Sequence, residues 1–308
     1  MFSSFMMVLP IVICIAAGYI FKRTGMLNEE GAVQIGRIVF YLATPCILFR
    51  LTMTLRAEDL ANVRFISVLY VCMLLSMLAA YVILRMRGGD RKCTSVSYLM
   101  VLRTNNLFMG IPTIIMLWGQ EALRVYALYI AMSIGFIEII SAAFALASLY
   151  GELNFSSIRK IVIGLFTNPV VLTTIAGTAW GLCIKMPLPR CIDLPMEIFG
   201  NLGTGLALMT LGMKLNLKSI VHDLASTWTD SLIRLIISPL IVWTGFQLFP
   251  SAPELERMAV LLLALPIAAN TAPMADALGM DSEYAAHSVM ASTLLSIFTL
   301  PVMVNLLL

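Results

Sequence analysis

Two stretches of the chain set side-chain amides, hydroxyls and prolines inside otherwise apolar runs: Arg103-Thr104-Asn105-Asn106-Leu107-Phe108-Met109-Gly110-Ile111-Pro112 and Ala264-Leu265-Pro266-Ile267-Ala268-Ala269-Asn270-Thr271-Ala272-Pro273. Amides and hydroxyls both donate and accept hydrogen bonds, so two such stretches brought together can hold a small polar ligand from several directions. A proline in a helix interior removes a backbone donor and clashes with the carbonyl four residues earlier. Lipid offers no water to the groups set free, so these breaks persist only where protein or a wet cavity covers them. Pro112 and Pro273 suit the first position of a new half-helix, where a missing N–H costs nothing. The free N–H groups after each proline, with the helix dipole, make a positive pole worth roughly half a charge. Beside these poles stand Asn105, Asn106, Gly110 and Ile111 in one break and Asn270 and Thr271 in the other, with Thr104 adding a hydroxyl. An anion, most simply a carboxylate, is the ligand this arrangement favours. The plainer reading is that the asparagines only satisfy carbonyls released by the prolines.

Other ionisable groups are weighed against the cost of a charge in an apolar span. Glu138 stands deep in Ser133-Ile134-Gly135-Phe136-Ile137-Glu138 with no base nearby in sequence, a candidate for proton coupling or cavity polarity unless it pairs with a neighbouring helix. Asp276 follows Pro273 by one turn, where a half-helix dipole would stabilise an acid. Arg103 precedes the first break and can attract an anion. Arg37, Arg50 and Arg234 are expected to snorkel to the interface from helix ends. Neither His222 nor His287 has a ligand partner at metal spacing, and no metal site or cofactor is expected. The methionines read as adaptable packing. Cys14, Cys46, Cys72, Cys93, Cys183 and Cys191 form no CxxC pair and read as packing residues, with Cys183 and Cys191 flanking a loop across which they could pair. No serine–histidine, paired-aspartate or HExxH arrangement occurs, so an enzyme is not expected.

The elements that must carry these residues are membrane helices. Of 308 residues 60% are hydrophobic and 12% charged, with a mean hydropathy of +0.94, whereas roughly a quarter of an ordinary soluble domain is charged. The net charge of +3 is spread over short loops, which leaves no basic face for nucleic acid. Runs long enough to span a bilayer fall near Ser4–Phe21, Ala32–Met53, Phe65–Arg85, Val96–Trp118, Ala122–Tyr150, Ile161–Ile184, Met196–Met213, Ser231–Phe249, Met258–Leu278 and Tyr284–Leu307. The fold class expected is therefore an all-α polytopic membrane protein of about ten transmembrane helices. The first run lacks the basic start and small-residue cleavage site of a signal peptide and is expected to remain in the mature protein. With the amino terminus outside, inner loops carry ten basic residues (Lys22, Arg23, Arg85, Arg87, Arg91, Lys92, Arg159, Lys160, Lys214, Lys218) against seven outside (Arg50, Arg56, Arg64, Arg124, Lys185, Arg190, Arg257), which puts both termini on the extracytoplasmic side.

The two halves repeat. Pro10 corresponds to Pro169, Gly18 to Gly177, Leu42-Ala43-Thr44 to Leu202-Gly203-Thr204, Met53 to Met213, Pro112 to Pro273 and Gly119 to Gly279, at offsets of 159 to 161. Five helices per copy is an odd number, so the second copy enters from the opposite side: residues 1–152 and 160–308 are expected as inverted repeats, linked near Gly151–Lys160, with broken fourth and ninth helices meeting near the midplane.

These motifs carry a resemblance. Gly18-Tyr19-Ile20-Phe21-Lys22-Arg23-Thr24-Gly25-Met26-Leu27, Thr44-Pro45, Asn105-Asn106…Met109-Gly110-Ile111-Pro112 and Ala264-Leu265-Pro266…Pro273 resemble the auxin efflux carrier family over essentially the whole chain. The resemblance implies crossed broken helices as in sodium/proton antiporters and bile-acid symporters, a scaffold (1–56 and 160–218), a transport domain (64–152 and 228–308), elevator movement and a homodimer joined through the scaffold. It implies that Asn105, Asn106 and Ala269-Asn270-Thr271 bind substrate. It further implies an inner-membrane carrier of a small organic anion such as malate, malonate or an auxin-like acid; the short link between halves disfavours auxin itself. The alternatives are a sodium-coupled symporter or cation/proton antiporter, which needs carboxylates at the crossing where only Asp276 is near, and a membrane sensor or lipid-binding receptor, for whose usual soluble domain the loops leave no room.

Overall fold

Apolar runs bounded by asparagine and glycine become helices whose ends those same residues close. In the computed structural model, which describes residues 2–152, 155–214 and 220–307, every regular element among the described residues is helical. Lys218, the end of the expected scaffold range and part of the expected inter-repeat linker lie outside the described residues, as do the side chains of Lys214 and His222. The first half holds α1 (Phe2–Arg23), α2 (Glu29–Ile38) running through a π-turn at Val39–Ala43 into α3 (Thr44–Thr52), α4 (Val63–Arg87), α5 (Arg91–Met100), α6 (Ile111–Trp118) and α7 (Leu123–Tyr150). The second holds α8 (Phe155–Thr167), α9 (Pro169–Ala179), α10 (Arg190–Lys214), α11 (Ile220–Leu232) running through a π-turn at Ile233–Ile237 into α12 (Ser238–Leu248), α13 (Pro253–Leu263), α14 (Thr271–Ala277) and α15 (Ser282–Leu307). Side-chain oxygens cap several starts, Asn28 accepting from the Gly31 N–H at 2.8 Å and Asn62 from the Phe65 N–H at 3.1 Å.

Among the described residues five helical stretches are long and apolar enough to cross a membrane, Glu29–Thr52, Val63–Arg87, Gln120–Tyr150, Leu224–Leu248 and Ser282–Leu306, or six with the bent pair Ile158–Thr167 and Pro169–Ile184 counted as one span. The expected fourth and ninth spans do not qualify as single helices, because each is split into pieces of ten and eight, and of eleven and seven, residues. The expected continuous sixth span is a correction. Asn168 caps α9 through the Val170 N–H at 3.0 Å and Pro169 opens it, so Ile158–Thr167 and Pro169–Ile184 meet at a bend of 61°. An Asn-Pro pair is a turn signal that the hydropathy of the run outweighed. Helix starts also lie earlier than hydropathy placed them: Asp90 caps α5 through Lys92 and Pro253 opens α13.

Much of the packing falls within two groups of helices, which also meet each other where α1 lies on α15 and α3 and α9 lie on α7. In the first, α1 lies along α10, α3 along α9, and α10 crosses α2 and α3; in the second, α4, α5, α7 and α11 to α15 pack among themselves. The first group closes through glycine. A Cβ on Gly18 would stand 1.9 Å from the Met209 carbonyl oxygen, and one on Gly212 would stand 1.8 Å from that of Ile15, so the α1 and α10 backbones are in direct contact. A Cβ on Gly177 would in turn stand 2.8 Å from the Phe49 carbonyl oxygen, joining α9 to α3. These contacts correspond: Gly177 is the counterpart of Gly18, and Phe49 precedes Met209 by the repeat offset of 160. Counterparts also touch each other, since a Cβ on Gly203 would stand 2.7 Å from that of Ala43. Gly119 and Gly279, counterparts in the two halves, both take a positive φ, 79° and 76°, just beyond α6 and α14, which glycine adopts without a Cβ penalty.

The expected snorkelling of Arg50 is also corrected. Its guanidinium pairs with α10, through Nε with Asp193 at 2.6 Å and Nη2 with Glu197 at 3.2 Å, and so ties α3 to α10. All six cysteines are unpaired, Cys183 and Cys191 being exposed.

Candidate functional site

Breaking two helices side by side frees the N–H and C=O groups of four helix ends, and the site is built from how these are satisfied. After α5 the chain runs extended and pairs antiparallel with the run after α13, with Thr104 opposite Ile267. Asn105 N–H donates to the Pro266 carbonyl at 2.8 Å, and Ala268 N–H to that of Arg103 at 3.0 Å. Asn105 and Pro266 are themselves separated by 161 residues, so equivalent positions of the two halves meet here. Ile267 N–H reaches Ser292 Oγ on α15 at 3.2 Å. The chain re-enters helix through a π-turn at Asn106–Gly110, in which Met109 and Gly110 N–H both point at the Asn105 carbonyl. Pro112 therefore sits in the second turn of its half-helix rather than the first, the preceding π-turn absorbing its ring. Pro273 does fall in the first turn of α14, but α14 is only seven residues long. Its dipole is correspondingly short, and the expected matched pair of strong positive poles becomes one clear pole and one minor one.

The carbonyl ends are held by a residue whose expected place was the interface. Arg234, in the π-turn between α11 and α12, is 1% exposed. It donates from Nη1 to Val101 O at 2.6 Å, from Nη2 to Leu263 O at 2.7 Å and from Nε to Leu265 O at 3.1 Å. One guanidinium thus gathers the last carbonyls of both α5 and α13. A lone arginine in an apolar run was visible in sequence; that both breaks would converge on it was not.

Between the extended runs, α7 and the first helix group lies a cavity of about 60 Å³, room for a few waters. Arg103, Thr104, Asn105, Asn106, Asn270 and Glu138 supply its polar wall, and Ile130, Ile134 and Ile137 of α7 face them. Phe40, Leu48 and Val170 close it from the first group. Arg103 Nη1 pairs with Glu138 Oε2, both side chains being buried. Two residues singled out for separate roles are therefore one ion pair, and the base that Glu138 lacks in sequence comes from another helix. Thr104 Oγ1 donates to Asn106 Oδ1, and Tyr126 OH donates to the Asn106 carbonyl at 3.3 Å. Among the residues that line the cavity, two buried donors are left without a partner, Arg103 Nε and Asn105 Nδ2.

The remaining candidates lie away from the cavity. A Cβ on Gly110 would stand 3.0 Å from a Leu262 methyl, so this glycine lets α6 approach α13. Ile111 is core, Thr271 is buried with its hydroxyl unpartnered, and Pro273 is exposed. Asp276 is exposed too, and as the last residue but one of α14 it sits at the negative end of that helix, not the positive end expected for it. Among the described residues no three His, Cys, Asp or Glu side chains gather as a metal site.

A family model described as membrane transport protein matches residues 3–304. An uncharacterized transporter of Methanothermobacter thermautotrophicus is 27% identical over 307 residues, covering 96% of this chain and 95% of that one. Auxin efflux carrier component 5 of Arabidopsis thaliana is 23% identical over 333 residues, 96% of this chain and 93% of its own length. A putative malonate transporter of Rhizobium meliloti is 24% identical over 304 residues, with 95% and 92% covered. With apolar helices of bilayer length, paired breaks and a match from end to end, this chain belongs to the auxin efflux carrier family of membrane transport proteins.

Proposed function

We propose that this transporter is a secondary carrier of a small organic anion, a carboxylate of the malonate, malate or auxin-like kind, bound at the cavity between the two breaks. The observation that carries the reading is the pair of unpartnered buried donors, Arg103 Nε and Asn105 Nδ2, on a wall that also holds Asn106 and Asn270. Donors left empty in a buried site cost free energy, and an acceptor-rich ligand would fill them. The Rhizobium relative, a putative malonate transporter, points the same way for substrate class. Arg103 is held by Glu138, so an incoming carboxylate competes with Glu138 for the guanidinium. Protonation of Glu138 would release Arg103 and keep the buried charge balanced when the anion enters, which favours proton-coupled movement. Sodium coupling has less support, because the acid it would need, Asp276, is exposed.

The corresponding glycine contacts and the meeting of Asn105 with Pro266 support ten spans in two inverted five-helix repeats with crossed fourth and ninth helices. The two packing groups support a scaffold and a transport domain, and an elevator-type shift of one against the other. Family resemblance supports a homodimer joined through the scaffold in the cytoplasmic membrane, and the distribution of basic residues over the loops supports both termini outside. The deciding experiment is binding of mono- and dicarboxylates to the purified protein, with and without sodium and at two pH values. Carboxylate binding that weakens as pH rises, indifferent to sodium, is expected; a sodium requirement, or binding of sterol and of no carboxylate, would replace this reading.

A further inference from the structure

Arg234 poses a question of charge that its hydrogen bonds alone do not answer. It is fully buried in a membrane protein, and among the described residues no carboxylate pairs with it. The nearest acid on its own helix, Asp230 one turn earlier, is engaged elsewhere: Tyr284 OH donates to it and Arg87 lies 3.5 Å away. An unbalanced buried arginine is costly. What faces it instead is a set of oxygens, the carbonyls of Val101, Leu263 and Leu265, at 2.6 to 3.1 Å. These belong to the ends of α5 and α13, helices of ten and eleven residues. Each end carries a negative pole of roughly half a charge, so two converging ends sum to about one unit, which a single guanidinium matches.

In broken-helix carriers, unwound carbonyls and half-helix C-termini of this kind are the ligands that coordinate a coupling cation. We propose that the guanidinium of Arg234 is a built-in cation filling that position, so that removing it opens a site for a small monovalent cation. The inference rests on the crossing being the centre of transport, as proposed above, but its chemistry concerns only the carbonyl side of the breaks. Arg234 is then a positioning residue: it touches no substrate and holds the α5 and α13 ends at the spacing that shapes the cavity on their far side. It also excludes an exchangeable ion from this point, leaving the Arg103–Glu138 pair as the place where charge is traded.

The first arm of the test needs no substrate. The melting temperatures of the purified wild-type protein and of Arg234→Ala are compared in sodium, potassium, choline and guanidinium chlorides at constant ionic strength, with urea as the neutral planar counterpart of guanidinium. The wild type is expected to be indifferent to the cation. Arg234→Ala is expected to melt lower and to recover with millimolar guanidinium, in part with sodium or potassium, and not with choline or urea. In vesicles its uptake of a carboxylate that the wild type carries should fall about tenfold or more, in line with the loss of charged hydrogen bonds, and guanidinium should restore it. Recovery by urea as well as guanidinium, absence of recovery by any cation, or stabilisation of the wild type by sodium would each overturn the proposal. Should Arg234→Ala not fold, Arg234→Lys keeps the charge: it is expected to fold and to ignore sodium, and a sodium-dependent melting temperature in that variant would overturn the proposal equally. Failure of the wild type to carry any carboxylate would instead count against the substrate reading and leave the melting result standing.

Discussion

Asn105 does two things with different parts of itself. Its backbone N–H closes the crossing onto Pro266, while its side-chain amide nitrogen is buried and unpartnered at the cavity. Asn105→Ala keeps the first and deletes the second, so the protein should fold and elute as wild type while carboxylate affinity drops about 10- to 100-fold, the range for a lost hydrogen bond to a charged group. Asn270→Ala, on the facing run, should behave alike. Uptake and size-exclusion on the same preparation check both, and normal uptake by both variants would move the site. Glu138→Gln should abolish the pH dependence of net flux while retaining substrate binding, because glutamine keeps the shape and hydrogen bonding of the protonated acid; an unchanged pH profile would remove Glu138 from coupling. The polar side of this site was legible in sequence because amides and charges stand out in apolar runs. Two things were not legible. Arg103 and Glu138 lie 35 positions apart on elements whose contact only folding defines, and Arg234 looks like any interfacial arginine until both breaks deliver their carbonyls to it.

Between elements, the contacts that matter most are made by residues with no side chain. Gly18→Ala would drive a Cβ into the Met209 carbonyl, where backbone rather than a flexible side chain must yield, and should cost about 3 kcal/mol or more as the α1–α10 contact opens. Gly177→Ala, into Phe49 and Thr52, should cost about as much. Gly164→Ala in α8 meets nothing within 4 Å and should be neutral or gain up to about 1 kcal/mol from helix propensity. Melting temperatures of the three variants in one detergent decide the matter, and a tolerated Gly18→Ala would mean that α1 and α10 are not held at backbone contact. The repeat offset exposed this pattern early, since Gly18 and Gly177 correspond. What sequence did not yield was the local course of the chain at prolines. Pro10 stays inside α1 while its counterpart Pro169 starts α9 after a 61° bend, because Asn168 precedes the latter and supplies a cap. Pro112 is likewise carried through by a π-turn that leaves no simple signature.

At the scale of the whole molecule, the walls of the cavity come from both helix groups. Phe40, Leu48 and Val170 come from the glycine-packed first group, while the polar residues and the α7 isoleucines come from the second. In the proposed elevator movement, a small cavity sealed by an apolar face of one group against a polar face of the other would change its exposure as the groups slide, without either needing to unfold. The antiparallel pairing of the breaks makes the polar centre part of one group only, so it would travel with that group from one side of the membrane to the other. A cysteine at Thr104, which lines the cavity and is buried here, should therefore react with membrane-impermeant thiol reagents from both sides when the six native cysteines are removed. A saturating carboxylate should shift the ratio of the two labelling rates, because ligand binding redistributes the states it favours. Labelling from one side only, indifferent to substrate under every ionic condition, would mean a fixed receptor; labelling from both faces at once in a single state would mean a pore. The proposed alternate access requires both faces in turn, and the two labelling rates with and without carboxylate measure that directly.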